Sequence, residues 1–262
     1  MMYKMFLFPF VILFFCQSIA AQDKKWKLVW QDEFNVAGKP DSRKWSAAPR
    51  ARPDWACNCY DDTSTAVVRG GRLIVKGIKA KEGTDTTKYQ TGCIQTKGKF
   101  SFLYGKLEVR AKLSQGQGSW PAIWLMPERS TYGGWPKSGE IDVMEHLNFD
   151  SIVYQTLHSN YITNLKQRTN PVHSDTVAFK VGDFNVYGME WYTDRIDFFV
   201  NGNKTFTYPK IEGDSTQLQW PFDQPFYIIL NQALGGNWPG PVSEVHLPQQ
   251  MEVDYVRVYQ LM

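Results

Sequence analysis

Three carboxylates lie close together in one short segment of this sequence, Glu-Ile-Asp-Val-Met-Glu at residues 140–145. A helix would point Glu140, Asp142 and Glu145 in different directions, because offsets of two and five residues do not stack on one helical face. A regular strand places Glu140 and Asp142 on one face and Glu145 on the other. One extra residue between Asp142 and Glu145, a β-bulge, returns all three carboxylates to one face. The segment therefore predicts a bulged strand with a row of acidic side chains.

Such a row suits the cleavage of a glycosidic bond. About four strand steps separate the Cα atoms of Glu140 and Glu145 by roughly 13 Å, and side chains leaning together can bring their carboxyls to the roughly 5 Å of a retaining glycosidase. Glu140 would be the nucleophile, and Glu145 the general acid and later the base. The charge of Asp142 would help Glu145 to keep its proton. A solvent-facing charged strand and a metal-binding carboxylate cluster are the alternatives.

The same hexapeptide resembles the catalytic strand of glycoside hydrolase family 16, in the bulged form of its laminarinase and β-1,3(4)-glucanase branch. A second segment, Trp-Pro-Ala-Ile-Trp at 120–124, resembles the sugar-binding motif that precedes this strand in the family. The resemblance extends from about residue 26 to residue 259. It implies a two-sheet antiparallel β-sandwich of the jelly-roll type with a concave cleft, and catalysis without a cofactor.

Length and composition agree with an all-β fold. The chain has 262 residues, of which 15% are Phe, Trp or Tyr, and a single β-sandwich domain commonly reaches this size. No long segment shows the 3.6-residue apolar period of a helix. Gly70-Gly71 and Asn201-Gly202 each separate two alternating segments and predict hairpin turns. We expect one catalytic domain at residues 22–262.

Several side chains outside the carboxylate segment are expected to bind substrate. Trp120 and Trp124 have the same parity on a strand, so both indoles could cover one surface, and flat aromatic faces bind the apolar faces of sugar rings. The resemblance implies further substrate contacts from Glu108, Arg110, Trp135, Gln155, His158, Asn231 and Trp238.

Two of these assignments rest on less specific patterns. Glu108 and Arg110 share one face of a predicted strand by parity, and the alternative to a cleft position is a surface ion pair. Loop 51–62 is polar and aromatic, and in a β-sandwich such a loop lies at the mouth of a cleft. We expect it to reach distal sugars through Trp55, Asn58 and Tyr60.

The N-terminal residues predict export. Met5 to Phe15 are almost wholly apolar and are followed by small residues, which is typical of a secretory signal peptide. We place its end at Ala21, and we expect a secreted or periplasmic protein. Cys16 offers an alternative, a lipid anchor at the cell surface.

Export makes a disulfide possible. The mature chain would contain Cys57, Cys59 and Cys93, an odd number, so at most one internal disulfide forms and one thiol is left over. The sequence leaves open which two of them pair. A metal site at Cys57-Asn58-Cys59 has little support, because there is no second cysteine pair or nearby histidine.

The expected partners are a polysaccharide and, by resemblance, a structural ion. Asp254 resembles the ligand of a structural Ca²⁺ in the family, with carbonyl groups near Glu33 and Gly71 completing the site. The net charge is only +3, and nothing resembles a nucleic-acid-binding motif or a transmembrane segment. We expect a monomer.

The predicted activity is retaining endo-hydrolysis of a β-1,3-glucan or a mixed-linkage β-1,3/1,4-glucan. Three alternatives share the fold: a transglycosylase, a hydrolase of galactans such as agarose or carrageenan, and a non-catalytic glucan-binding module. The module would keep the tryptophans but would not need two spaced glutamates. The transglycosylase would differ in releasing products longer than its substrate.

Overall fold

Sixteen β-strands form two sheets in the part of the chain that the structure describes, residues 25–83, 87–213 and 215–262 of a computed structural model. The predicted signal peptide and Cys16 lie outside these residues. Neighbouring strands pair antiparallel throughout both sheets. The predicted two-sheet, all-β architecture is confirmed.

The nine-stranded sheet has the order β14-β13-β12-β7-β16-β4-β3, with β1 paired to β16 and β5 paired to β4. Its strands are β1 (Trp26–Asp32), β3 (Ala66–Val68), β4 (Leu73–Lys79), β5 (Tyr89–Thr91), β7 (Gly105–Leu113), β12 (Asn185–Trp191), β13 (Arg195–Val200), β14 (Asn203–Pro209) and β16 (Gln249–Leu261).

The seven-stranded sheet has the order β11-β10-β9-β8-β15-β6-β2, which places the carboxylate strand β9 near its centre. Its strands are β2 (Ser46–Ala47), β6 (Cys93–Gln95), β8 (Ser119–Pro127), β9 (Glu140–Glu145), β10 (Ile152–His158), β11 (Ser174–Ala178) and β15 (Phe226–Leu234).

The core lies between the two sheets and follows from the period-two pattern of the strands. In β7, Leu107, Val109 and Ala111 are fully buried, while the residues between them are partly exposed. They belong to the same apolar cluster as Ile141 and Val143 of β9. Strand β9 therefore has one face anchored in the core by Ile141 and Val143 and one face free to build a site.

The two predicted hairpin turns are present. Gly70 and Gly71 connect β3 to β4, and Asn201 and Gly202 connect β13 to β14. All four residues have positive φ values, between 53° and 79°, which is the backbone conformation that tight hairpin turns require and that Gly and Asn adopt most readily.

Helical structure in the described residues is limited to two short turns, Asn160–Asn164 and Glu244–His246. Neither is long enough to cross a membrane, and the described residues contain no helix that could do so.

Candidate active site

The predicted bulge is present in β9 and sets the direction of its carboxylates. Trp124 of β8 pairs with Asp142, but the preceding residue, Ile123, already pairs with Met144, so Val143 is the additional residue in β9. The pairing with β10 shifts at the same place. Because of this extra residue, Glu145 returns to the face that carries Glu140 and Asp142, and all three carboxylates line one cleft.

The turn before β9 depends on glycine. Gly139 has φ +88°, and a Cβ atom there would lie 3.0–3.1 Å from atoms of Pro221, Phe222 and Phe226. Only glycine combines this backbone conformation with so close an approach. The turn packs against these buried residues, and the next residue, Glu140, begins β9 and lines the cleft.

Two tryptophan side chains hold the two glutamates. The indole N–H of Trp120 donates a hydrogen bond to Oε1 of Glu145 at 2.9 Å, and the indole N–H of Trp135 donates to Oε2 of Glu140 at 2.6 Å. In each glutamate one carboxyl oxygen is thus positioned, and the other oxygen, Oε2 of Glu145 or Oε1 of Glu140, is available for chemistry.

His158 lies beside the other two carboxylates. Its Nε2 atom is 3.4 Å from Oδ2 of Asp142 and 3.9 Å from Oε1 of Glu140. On the other side of the ring, Nδ1 is 3.4 Å from the hydroxyl of Thr163. The backbone register fixes this placement, because His158 pairs directly with Glu140 across β9 and β10.

The carboxyl groups are difficult to ionise together. Burial raises the pKa of Glu140 to about 8, and the Asp142 carboxyl adds to this rise, while His158 and the Trp135 N–H partly oppose it. Burial also raises the pKa of Asp142. Burial, followed by the charge of Asp142, raises the pKa of Glu145 well above its usual range. At neutral pH the row therefore retains protons, which is the condition a general acid needs.

The carboxylates open into a cleft of about 610 Å³ with aromatic walls. Trp238 packs edge-on against Trp120 at a centroid distance of 5.6 Å, and Trp55 packs edge-on against Trp124 at 4.8 Å. The indole N–H of Trp124 donates to Oδ1 of the buried Asn231 at 2.7 Å. Tryptophans thus form much of the cleft wall on the β8 side of the carboxylate row.

Most of the predicted site residues meet in this cleft. Besides the three carboxylates, the predicted residues that line it are Trp120, Trp124, Trp135, His158, Asn231 and Trp238. From loop 51–62, Trp55 lines it as expected, whereas Asn58 does not: its amide donates to the carbonyl of Leu234. Asn58 therefore fixes the loop and is not among the described residues that line the cleft, contrary to the expected sugar contact.

Glu108 and Arg110 do not face the cleft, which corrects a second expectation. They share a face as predicted, but β7 belongs to the nine-stranded sheet and turns that face to solvent. Glu108 forms an ion pair with Lys106, and Arg110 forms one with Asp254 at 2.7 Å. The alternative of surface ion pairs describes both residues.

Gln155 also lies on the wrong side of its strand for a substrate contact. It is fully buried between the sheets, where its amide donates to the carbonyl of Val143 and its carbonyl accepts from the hydroxyl of Thr205. Gln155 and His158 are three residues apart, so a regular strand cannot place both in the cleft. Thr156, which has the parity of His158, lines the cleft and was missed.

Parity could also have found other residues of the cleft floor. Ala122 and Met126 share a face of β8 with the two predicted tryptophans, and Tyr227 and Ile229 share a face of β15 with Asn231. Pro53 carries no such signal, because it reaches the cleft from a loop.

The disulfide joins Cys59 to Cys93 and leaves Cys57 as the free thiol. Cys93 is in β6, so the bond ties loop 51–62 to the strand next to the edge strand β2 of the seven-stranded sheet. The carboxylate of Asp54 accepts from the backbone N–H of Asn237 at 2.7 Å, which ties the same loop to the segment that carries Trp238. The position of Trp55 is therefore fixed from two directions.

The residues of the predicted calcium site have other side-chain partners. Arg257 binds both carboxyl oxygens of Glu33, and Arg110 pairs with Asp254. Gly71 is in the β3–β4 turn. Of the predicted ligands only Asp254 contributes a carboxylate, and Arg110 neutralises it; the ion pair of the Glu33 side chain does not involve the expected carbonyl groups. Calcium at this position stays a prediction.

The sandwich, its row of buried carboxylates and the aromatic cleft define a polysaccharide-cleaving type of site. Residues 63–257 match the family described as Glycosyl hydrolases family 16. The chain belongs to this family and is a glycoside hydrolase.

Two relatives and one solved structure show how similar the chain is to known members. A keratan-sulfate endo-1,4-β-galactosidase of Sphingobacterium multivorum is 46% identical over 93% of this chain, which spans only 57% of that protein's length. A β-glucanase of Rhodothermus marinus is 38% identical over 89% of this chain and 85% of its own length. The X-ray structure of the laminarinase from Rhodothermus marinus superimposes with a TM-score of 0.81 at 35% identity, covering 92% of this chain and 100% of that one.

Proposed function

We propose that this protein is a retaining endo-β-glucanase that hydrolyses β-1,3-glucan or mixed-linkage β-1,3/1,4-glucan. The observation that carries the proposal is the bulge in β9, which turns Glu140 and Glu145 to one cleft with Asp142 between them. Two carboxyls that flank a scissile bond are what retaining hydrolysis requires.

Glu140 would attack the anomeric carbon through Oε1, because the Trp135 N–H holds Oε2. Glu145 would protonate the glycosidic oxygen as the bond breaks, through Oε2, since Oε1 accepts from Trp120. The resulting glycosyl-enzyme would then be attacked by a water molecule that Glu145, now ionised, deprotonates. Burial raises the pKa of both glutamates: Glu145 can thereby carry the proton that the acid donates, whereas Glu140 reacts in its ionised form, which His158 and the Trp135 N–H favour.

The cleft walls support a neutral polymer as the substrate. The described residues that line the cleft are mostly aromatic or aliphatic, and they include no Lys or Arg. Indole faces bind the apolar faces of sugar rings without requiring charge on the ligand. An open cleft lined in this way favours internal cleavage of a long chain, and the glucanase relative agrees with such a substrate.

A β-galactosidase acting on keratan sulfate is the second candidate, because the relative with that activity is 46% identical. Lys97 lies 5.3 Å from the ring centre of Tyr227, a residue of the cleft, and could approach a sulfate on an extended chain. Galactan hydrolysis of the agarose or carrageenan type, transglycosylation and simple glucan binding remain distinguishable by their products.

Product analysis tests these functions directly. The purified protein is incubated separately with laminarin, lichenan, barley glucan, keratan sulfate, agarose and carrageenan, and the products are separated by size and composition. We expect oligosaccharides from at least one glucan. Fragments from keratan sulfate alone would establish the second candidate, products longer than the starting oligosaccharide would establish a transglycosylase, and binding without products would overturn the enzyme proposal.

We also propose that the protein is exported by a signal peptide that ends at Ala21. Glycosidases of external polysaccharides act outside the cytoplasm, and the Cys59–Cys93 disulfide is stable in such a compartment. Mass spectrometry of the mature N-terminus tests this proposal. A first residue after Ala21 would support it, whereas a lipid-modified Cys16 would establish the anchored form instead.

A further inference from the structure

Glu140, Asp142 and His158 bring three ligand atoms together at the centre of the cleft. One atom from each side chain lies within 4.8 Å of the other two. All three residues are on the paired strands β9 and β10, where His158 is opposite Glu140 and Asp142 is opposite Thr156. The pairing of the two strands therefore fixes the relative positions of the three side chains, and no loop is involved.

The distances suit a tetrahedral metal ion. Zinc binds carboxylate oxygen and imidazole nitrogen at about 2.0–2.2 Å, which separates adjacent ligand atoms by about 3.4 Å in a tetrahedral site. Nε2 of His158 is 3.4 Å from Oδ2 of Asp142 and 3.9 Å from Oε1 of Glu140. The first distance already fits, and the second requires a side-chain movement of about half an ångström. The third, between the carboxyl oxygens of Glu140 and Asp142, is at most 4.8 Å, so a movement of up to about 1.4 Å brings it to the tetrahedral value.

The ligand atoms can be released for a metal ion. No N–H or hydroxyl group of the described residues donates to Oδ2 of the buried Asp142; the Asp142 carboxyl shares a hydrogen bond with the carboxyl of Glu140, and a bound dication would replace the shared proton. The Trp135 N–H occupies Oε2 of Glu140, and Oε1 faces Nε2 of His158 at 3.9 Å. The contact between Nδ1 of His158 and Thr163 orients the ring with Nε2 toward the carboxylates, as an outer partner does for a metal-binding histidine.

Charge favours a dication at this point. The carboxyl groups of the buried Asp142 and the partly exposed Glu140 lie close together at the cleft surface, and no Lys or Arg is among the described residues that line the cleft. Imidazole together with carboxylate is a donor set for Zn²⁺ and similar transition metals, rather than for Ca²⁺, which prefers oxygen ligands alone.

We propose that Glu140, Asp142 and His158 form a binding site for one zinc-type divalent ion, with its fourth position open to the cleft. The bound ion would cover Oε1 of Glu140. If Glu140 is the nucleophile, as the proposed function states, zinc is an inhibitor that competes with the polysaccharide. The binding itself does not depend on that function.

Calorimetric titration of the untagged, chelator-treated protein with ZnCl₂ tests the binding. We expect one ion per chain, and we expect CoCl₂ to produce the visible absorption of tetrahedral Co²⁺ in the same protein. His158→Gln should weaken zinc binding at least about tenfold. Cys57→Ser is the matched control, since it removes the free thiol outside this site and should leave zinc affinity unchanged.

Three results would overturn the site: no zinc binding to the wild-type protein, zinc binding without a tetrahedral Co²⁺ spectrum, or loss of binding in Cys57→Ser but not in His158→Gln. Thermal unfolding of both variants shows that they are folded. Zinc binding in a protein that hydrolyses no polysaccharide would leave the site established and would refute only the proposed function. Hydrolysis that is unaffected by zinc bound at this site would refute the inhibition.

Discussion

The hydrogen bond from Trp135 to Glu140 should control the acidic limit of activity. Glu140 must be ionised to attack, and the 2.6 Å bond from the indole N–H lowers its pKa. A hydrogen bond to a charged group contributes about 1.5–3 kcal/mol, but Trp135 is 56% exposed, so we take about 1 kcal/mol after solvent screening. Trp135→Phe removes the donor and keeps an aromatic ring. Since one pKa unit corresponds to 1.36 kcal/mol, losing about 1 kcal/mol of stabilisation of the ionised form raises the pKa of Glu140 by about 0.7 unit.

The assay is the pH dependence of kcat/KM on the preferred polysaccharide. Because removal of the donor raises the pKa of Glu140, the acidic limb should move to higher pH by about 0.7 unit. Trp238→Phe is the control: Trp238 is a similarly exposed cleft tryptophan, and its ring packs against Trp120 and Tyr154. It should change KM without moving the limb. An unmoved limb in Trp135→Phe, or a shift to lower pH, would refute the reasoning.

Three further outcomes follow from the same structure. Glu140→Ser should fold and bind substrate but lose turnover by several orders of magnitude in a steady-state assay, and near-normal turnover would refute the nucleophile assignment. Cys59→Ser should lower the free energy of unfolding, measured in denaturant, by about 2–4 kcal/mol, and it should raise KM because the loop that carries Trp55 loosens. Cys57→Ser, which removes only the free thiol, should change neither quantity. Arg110→Ala should leave kcat/KM unchanged and alter the unfolding free energy by at most about 1 kcal/mol, because the ion pair of Arg110 is on the solvent face of the other sheet. A large loss of activity would contradict the placement of Arg110 outside the cleft.

Local sequence was sufficient for the features that depend on neighbouring residues. The offsets among Glu140, Asp142 and Glu145 required a bulge if the three were to act together, and β9 contains it at Val143. Strand parity placed Trp120 and Trp124 on one face, and both line the cleft. The Asn201-Gly202 pair predicted its hairpin from backbone preference alone.

Other features could not be predicted in this way, because they depend on which surfaces meet. Strand parity shows that Glu108 and Arg110 share a face, but not that their strand belongs to the sheet opposite the cleft. Parity separates Gln155 from His158, yet only the packing of two sheets shows which of them is buried.

What the sequence by itself determined is therefore the chemistry of the site: the acidic row, its bulge, the tryptophans beside it and the family to which they belong. Only the tertiary structure decided the surroundings of that row. The Cys59–Cys93 pairing, the position of Trp55 and the approach of His158 to Asp142 and Glu140 all join residues distant in the chain. The side-chain period of a strand and the backbone preferences of turn residues act over a few residues, whereas these contacts arise when strands from separate segments pair and pack.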